Sequence, residues 1–100
     1  MLQPPATIDN ANVIAFVVLD PKVHHDTGSL RLFAHGSLQT WFHGLVVAQY
    51  ENGGGVYLFF CDNNWQCEND TDHASIEDAI ETANMKFGVL REQWRFRHES

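Results

Sequence analysis

The segment Glu51-Asn52-Gly53-Gly54-Gly55 lies between two runs rich in β-forming residues, Trp41 to Tyr50 (W-F-H-G-L-V-V-A-Q-Y) and Val56 to Cys61 (V-Y-L-F-F-C). Asn-Gly supplies the positive φ angles that tight turns require, so strands at 44–50 and 56–61 are expected to fold back on each other through a hairpin at 50–56. Gly44 reads as a bulge inside the first of them. The middle of the chain is thereby committed to an antiparallel sheet, and the rest must be built around it.

Asn12 to Asp20 (N-V-I-A-F-V-V-L-D) is β-branched and apolar on both alternating faces, the pattern of a central strand, over 13–19, covered on both sides. Pro21 ends it and opens a polar loop over 21–28. In Ser29 to His35, Leu30, Leu32 and Ala34 share one face while Arg31, Phe33 and His35 share the other, which predicts a half-buried strand at 30–34 followed by a turn at Gly36-Ser37. Residues 62–73 read as a polar connection. The spacing of Ile76, Ala79, Ile80, Ala83 and Phe87 then predicts one amphipathic helix over 76–87. Its expected N-cap is Ser75, with Glu77 and Asp78 in the first turn and Asp78 in the capping-box position; Lys86 and Gly88 suit its end. Gln93 to Arg97 alternates as a short last strand. The order β-β-β-β-α-β implies a two-layer α+β fold, a mainly antiparallel sheet of four to five strands with one helix on it. Residues 1–11, with Pro4 and Pro5, read as a flexible N-terminal tail and 12–97 as a single domain.

Composition narrows the function classes. Seven Phe, three Trp and two Tyr in 100 residues indicate a packed core rather than disorder. A net charge of −7 disfavours nucleic acid as a partner. No apolar run of about 18 residues is present to span a membrane, and the N-terminus lacks the basic region of a secretory signal. With two cysteines, Cys61 and Cys67, a disulfide scaffold is not expected; the default is a cytoplasmic protein with reduced thiols.

Chemistry-bearing constellations are sparse. Asp62, Asn64 and Gln66 imitate the start of an EF-hand loop, but Cys67 stands where glycine is needed and His73 where a bidentate glutamate is needed. Cys61, Cys67 and His73, with His24 and His25 elsewhere, lack the close cysteine pairing of structural zinc motifs, so no metal and no cofactor are expected. The glycine run leads into a strand, whereas phosphate loops open into helices. Charge is more telling. Between Leu32 and Met85 there is no Lys or Arg, while Glu51, Asp62, Glu68, Asp70, Asp72, Glu77, Asp78 and Glu81 fall in that span; Lys86, Arg91, Arg95 and Arg97 make the end of the chain basic. Trp65 sits among the acids, where it is either folded back on the core rim or an exposed anchor.

The run Y-L-F-x-C-D-x-x-W from Tyr57 to Trp65, then D-T-x-H-x-S-x-E-x-A from Asp70 to Ala79, then Ala83 and Phe87-Gly88, resembles small uncharacterised bacterial proteins over about residues 43–94. That resemblance implies a bacterial, cytoplasmic origin and brings no catalytic residue with it. From the residues, the leading expectation is a non-enzymatic, acidic protein-interaction domain that masks a basic partner, a toxin-neutralising immunity-type protein being one example. Its expected contact residues are Asp62, Trp65, Glu68, Asp70 and Asp72. One alternative is a small enzyme or metal-binding domain using His73 with Cys61, Cys67 or nearby acids; another is a structural homodimer joined through a strand edge.

Overall fold

The computed structural model describes residues 3–97, apart from the side chain of Asn52. The fold is α+β, a curled antiparallel sheet with one helix. Its strands are β1 (Thr7–Ile8), β2 (Ala11–Val18), β3 (Leu32–Ala34), β4 (Ser37–Gln39), β5 (Gly44–Gln49), β6 (Val56–Cys61), β7 (Cys67–His73) and β8 (Arg95–Phe96), with α1 at Ile76–Phe87. The main sheet has the order β1-β2-β5-β6-β7, and β8 also pairs with β2, while β3 and β4 form a separate two-stranded hairpin.

The glycine-rich turn does what its residues require. Tyr50 N–H bonds to Gly55 O at 3.2 Å, Gly53 and Gly55 take φ of 74° and 98°, and β5 pairs with β6 from Gln49↔Val56 to Gly44↔Cys61. The helix begins where its cap predicts, Ser75 Oγ accepting the Asp78 N–H at 3.0 Å, and stops at Gly88 in the left-handed region at φ 73°. Ala79, Ile80, Ala83 and Phe87 pack on Ala15, Val17, Leu45, Val47, Leu58 and Phe60 of the sheet. The opposite sheet face carries a second apolar cluster, with Val13, Phe16, Val46, Ala48, Phe59 and Cys61 joined by Ile8 and Trp65. The double-sided apolar pattern of β2 follows from this, because both its faces are covered.

Four expectations change. The 62–73 connection is half strand: β7 pairs with β6 along its length, although its alternation is between half-buried and exposed polar residues and so carries no hydrophobic period. Residues 7–11 are not a loose tail, because Ile8 and Ala11 are buried and β1 pairs with β2. The 30–34 segment is not in the main sheet; β2 pairs directly with β5, and β3–β4 forms a hairpin whose Phe33 and Leu38 remain exposed. Gly44 is not a bulge but the first residue of β5, where an added Cβ would lie 2.5 Å from the indole of Trp65. The bulges fall elsewhere, between Val13 and Ala15 and between Phe60 and Cys61.

Candidate partner-binding surface

Register places the acids of β7. Asp72 is opposite Tyr57 and Asp70 opposite Phe59, so both lie on the sheet face away from the helix, where Phe59 belongs to the second cluster. Glu68 is exposed within the bulge where β7 slips against Phe60 and Cys61. Asp62 has a different task. Its Oδ1 accepts the N–H groups of Asn64 and Gln66, each at 2.9 Å, and its carbonyl accepts the N–H of Trp65, so it holds the turn between β6 and β7.

That turn drives Trp65 inward with φ of 61°. Its ring meets Phe16 edge-on at 5.8 Å and His43 at 5.5 Å, and the residue is only 2% exposed. Trp65 is therefore a core residue, and the exposed-anchor expectation is corrected. An indole this large finds more apolar contact over the bare backbone of Gly44 than it would in water.

The aromatic pair that does border the acids is Tyr50 and Tyr57. Both are half-buried at the edge of the second cluster, and their rings meet edge-on at 5.4 Å. Asp9, in the β1–β2 turn at φ 49°, is close enough for its charge to act on Tyr50 and Cys67. The electrostatics record the convergence. Desolvation pushes the Tyr50 phenol above its usual range, and the charges of Asp9 and Asp70 push it further. Burial raises the Cys67 thiol to about 11, with Asp70 and then Asp9 adding to the effect. Two carboxylates from segments far apart in sequence thus act on both Tyr50 and Cys67.

No cation among the described residues forms an ion pair with these carboxylates. Among the described residues the ion pairs are Lys86–Asp26 at 3.1 Å, Arg91–Glu77 at 2.7 Å and His73–Asp78 at 2.9 Å. Lys86 is fully buried, also donating to Leu30 O at 2.5 Å, and Arg97 donates to the carbonyls of Pro4 and Pro5. Asp9, Asp62, Glu68, Asp70 and Asp72 take part in none of these pairs.

His73 is drawn to the other side of the sheet. Its Nδ1–H donates to Asp78 Oδ2 at 2.9 Å, an ionised carboxylate being an acceptor only, which leaves Nε2 to accept the Thr71 hydroxyl at 2.6 Å. This chain ties β7 to the first turn of α1, and neither principal concavity of the surface is lined by Thr71 or His73. Cys61 and Cys67 face the second cluster instead, so His73 and the thiols are not brought together. Burial pushes the Cys61 thiol well above the usual range, a poor setting for a thiolate. No group of three or more His, Cys, Asp or Glu among the described residues is placed to hold a metal ion.

Sequence reasoning missed three members of this surface. The hairpin register alone would have brought Tyr50 and Tyr57 together across β5 and β6. Asp9 had no signal, because its placement depends on β1 pairing with β2. Among the described residues no helix is long and apolar enough to cross a membrane. Comparison with known proteins finds no matching family model, no similar curated protein and no similar solved structure.

Proposed function

We propose that this chain is a non-enzymatic acidic interaction domain that binds a basic protein through the Tyr50–Tyr57 face, bordered by Asp9, Asp70 and Asp72. The observation that carries the reading is the convergence of carboxylates with no ion pair among the described residues: Asp9 and Asp70 act on Tyr50, and Asp72 lies opposite Tyr57. Like charges held this close repel one another in the free protein, and a cationic partner relieves that repulsion while being steered toward it. A tyrosine face is also a receptor for Lys or Arg side chains, and its rings lose little conformational freedom on binding. Neutralising a basic toxin is the most concrete role of this kind.

The homodimer reading has less support. The outer edge of β7 carries Glu68, Asp70 and Asp72, which would face their own copies, and the β3–β4 hairpin leans on it through Asn69, whose Nδ2 donates to Phe33 O at 3.0 Å.

The test is affinity capture from the native cell, followed by surface-binding kinetics on the captured partner. Asp70→Lys with Asp72→Lys is expected to slow association and flatten its salt dependence, because charges at the rim act mainly on encounter. Tyr57→Ala is expected to speed dissociation. A partner whose rates ignore both changes does not bind here.

A further inference from the structure

One concavity is lined by none of the residues of the acidic face. It is a groove of about 700 Å³ whose walls include Val17, Val18, Val23, His24, Gln93 and Arg95. Val18 and Val23 are 39% and 59% exposed, so the walls offer apolar surface to solvent. Its floor is rigid. His24 Nδ1 accepts the Asp20 N–H at 3.0 Å, so its Nε2–H donates to Gln93 Oε1 at 2.9 Å, and that oxygen also accepts the Leu90 N–H.

The groove also exposes backbone. Leu19 N–H bonds to His43 O, so odd-numbered residues at this end of β2 turn their polar groups toward β5. Even-numbered residues turn the other way: Arg97 N–H bonds to Ile14 O, and Phe16 pairs with Arg95 of β8. Val18 is next in that series, but β8 has already ended, because Gln93 is in a 3₁₀ turn with its N–H on Leu90 O. Its outward N–H and C=O therefore border the groove as a short stretch of sheet edge beyond β8, with Gln3 also on the groove wall.

Arg95 stands where β8 begins. It is exposed, lines the groove, and has no ion pair among the described residues. A segment laid antiparallel to β2 beside Val18 would run from the Asp20 end toward Arg95. There β8 occupies the edge, so the segment cannot continue. What fits is a chain end, whose terminal carboxylate meets the free guanidinium while its amino-terminal side starts beside Asp20. We infer that this groove docks the carboxy-terminal residues of another polypeptide, added as a short strand to β2 at Val18, with an apolar side chain between Val18 and Val23 and the terminal carboxylate on Arg95. Strand addition supplies main-chain hydrogen bonds, and the charge-assisted pair fixes direction.

The probes are fluorescein-labelled hexapeptides with free carboxy-termini, varied over small and branched apolar residues at the last two positions, each paired with its C-terminal amide. Fluorescence anisotropy is expected to show saturable binding for the best acid probes, at least about tenfold weaker for the amide and for Arg95→Glu. Amide resonances of Val18, Val23 and His24 should shift, and the Val18 N–H should exchange more slowly in the complex. Arg95→Glu alters an exposed side chain, and an unchanged melting temperature will show that the variant is folded. The inference is overturned if acid and amide bind equally, if Arg95→Glu binds as wild type does, or if no member of the set perturbs Val18 at millimolar concentration.

Discussion

The indole of Trp65 lies against the bare backbone of Gly44: a Cβ added there would sit 2.5 Å from Cζ3 and 2.6 Å from Cη2, with Val17 O at 3.1 Å. Neither neighbour yields easily, one being a ring 2% exposed in the second cluster and the other main chain. Gly44→Ala is expected to destabilise by about 1–3 kcal/mol through overpacking. Trp65→Ala should cost about 3–5 kcal/mol by opening a cavity. The two sites are in contact, so their effects should not add, and Trp65→Leu should recover part of the Gly44→Ala loss. Additive losses in denaturant melts would mean that the two residues do not share this contact.

On the opposite face, Phe87 closes the helix against the rings of Trp41, Phe42 and Phe60 and is fully buried, whereas Glu81 is exposed. Phe87→Ala should cost about 3–5 kcal/mol. Glu81→Ala should stay within about 0.5 kcal/mol, as surface changes do. Chemical denaturation distinguishes them directly, and comparable losses would mean that the buried face of α1 has been misassigned.

What could be read from the chain followed from local chemistry. Asn-Gly before a β run, Ser75 before an apolar stripe and Gly88 after it each act within a few residues, and the hairpin and helix stand where those residues put them. What could not be read depends on distant contacts. Cys67–His73 is a strand because β6 supplies its ladder, and its own residues alternate only between polar types. Nothing in Leu32–Gln39 announces that its three-residue strands stay out of the main sheet and leave β2 to pair with β5. The acids Asp70 and Asp72 were legible as charge, but their face needed the β6 register, and the burial of Trp65 needed the gap at Gly44.

The clasp between β7 and α1 gives a pH signature. The hydrogen bond from His73, with a second from Ala74 N–H, holds the Asp78 carboxyl below its ordinary value of 3.8, and Arg91 does the same for Glu77. A carboxyl whose folded value is depressed stabilises fully above the unfolded value, and that contribution disappears as pH falls through the folded one. The melting-temperature gap between wild type and Asp78→Asn should therefore be largest at neutral pH and close as the solution is acidified below the ordinary carboxylate range. A gap that stays constant to about pH 2 would show that the charge on Asp78 contributes nothing.

The cysteines report on the acidic face itself. Cys61 is fully buried in β6, and Cys67, opposite it in β7, donates its thiol to Asn69 O at 3.1 Å. Burial and then the charges of Asp70 and Asp9 raise the Cys67 thiol from 9.0 to about 11. The thiolate is the reactive form, so at neutral pH its population falls by about two orders of magnitude relative to an ordinary thiol. Iodoacetamide should modify native Cys67 slowly, at a rate that climbs with pH into the alkaline range. Cys61 should react only as the protein unfolds, and denatured protein should titrate as two free thiols. Asp70→Asn removes one of the charges acting on Cys67, so it should lower that thiol's pKa and speed its alkylation at fixed pH without changing the melting temperature appreciably. Peptide mapping of the alkylated protein separates the two sites. If Asp70→Asn leaves the Cys67 rate where it was, Asp70 does not face the Tyr50–Tyr57 patch, and the surface proposed for the basic partner loses its central carboxylate.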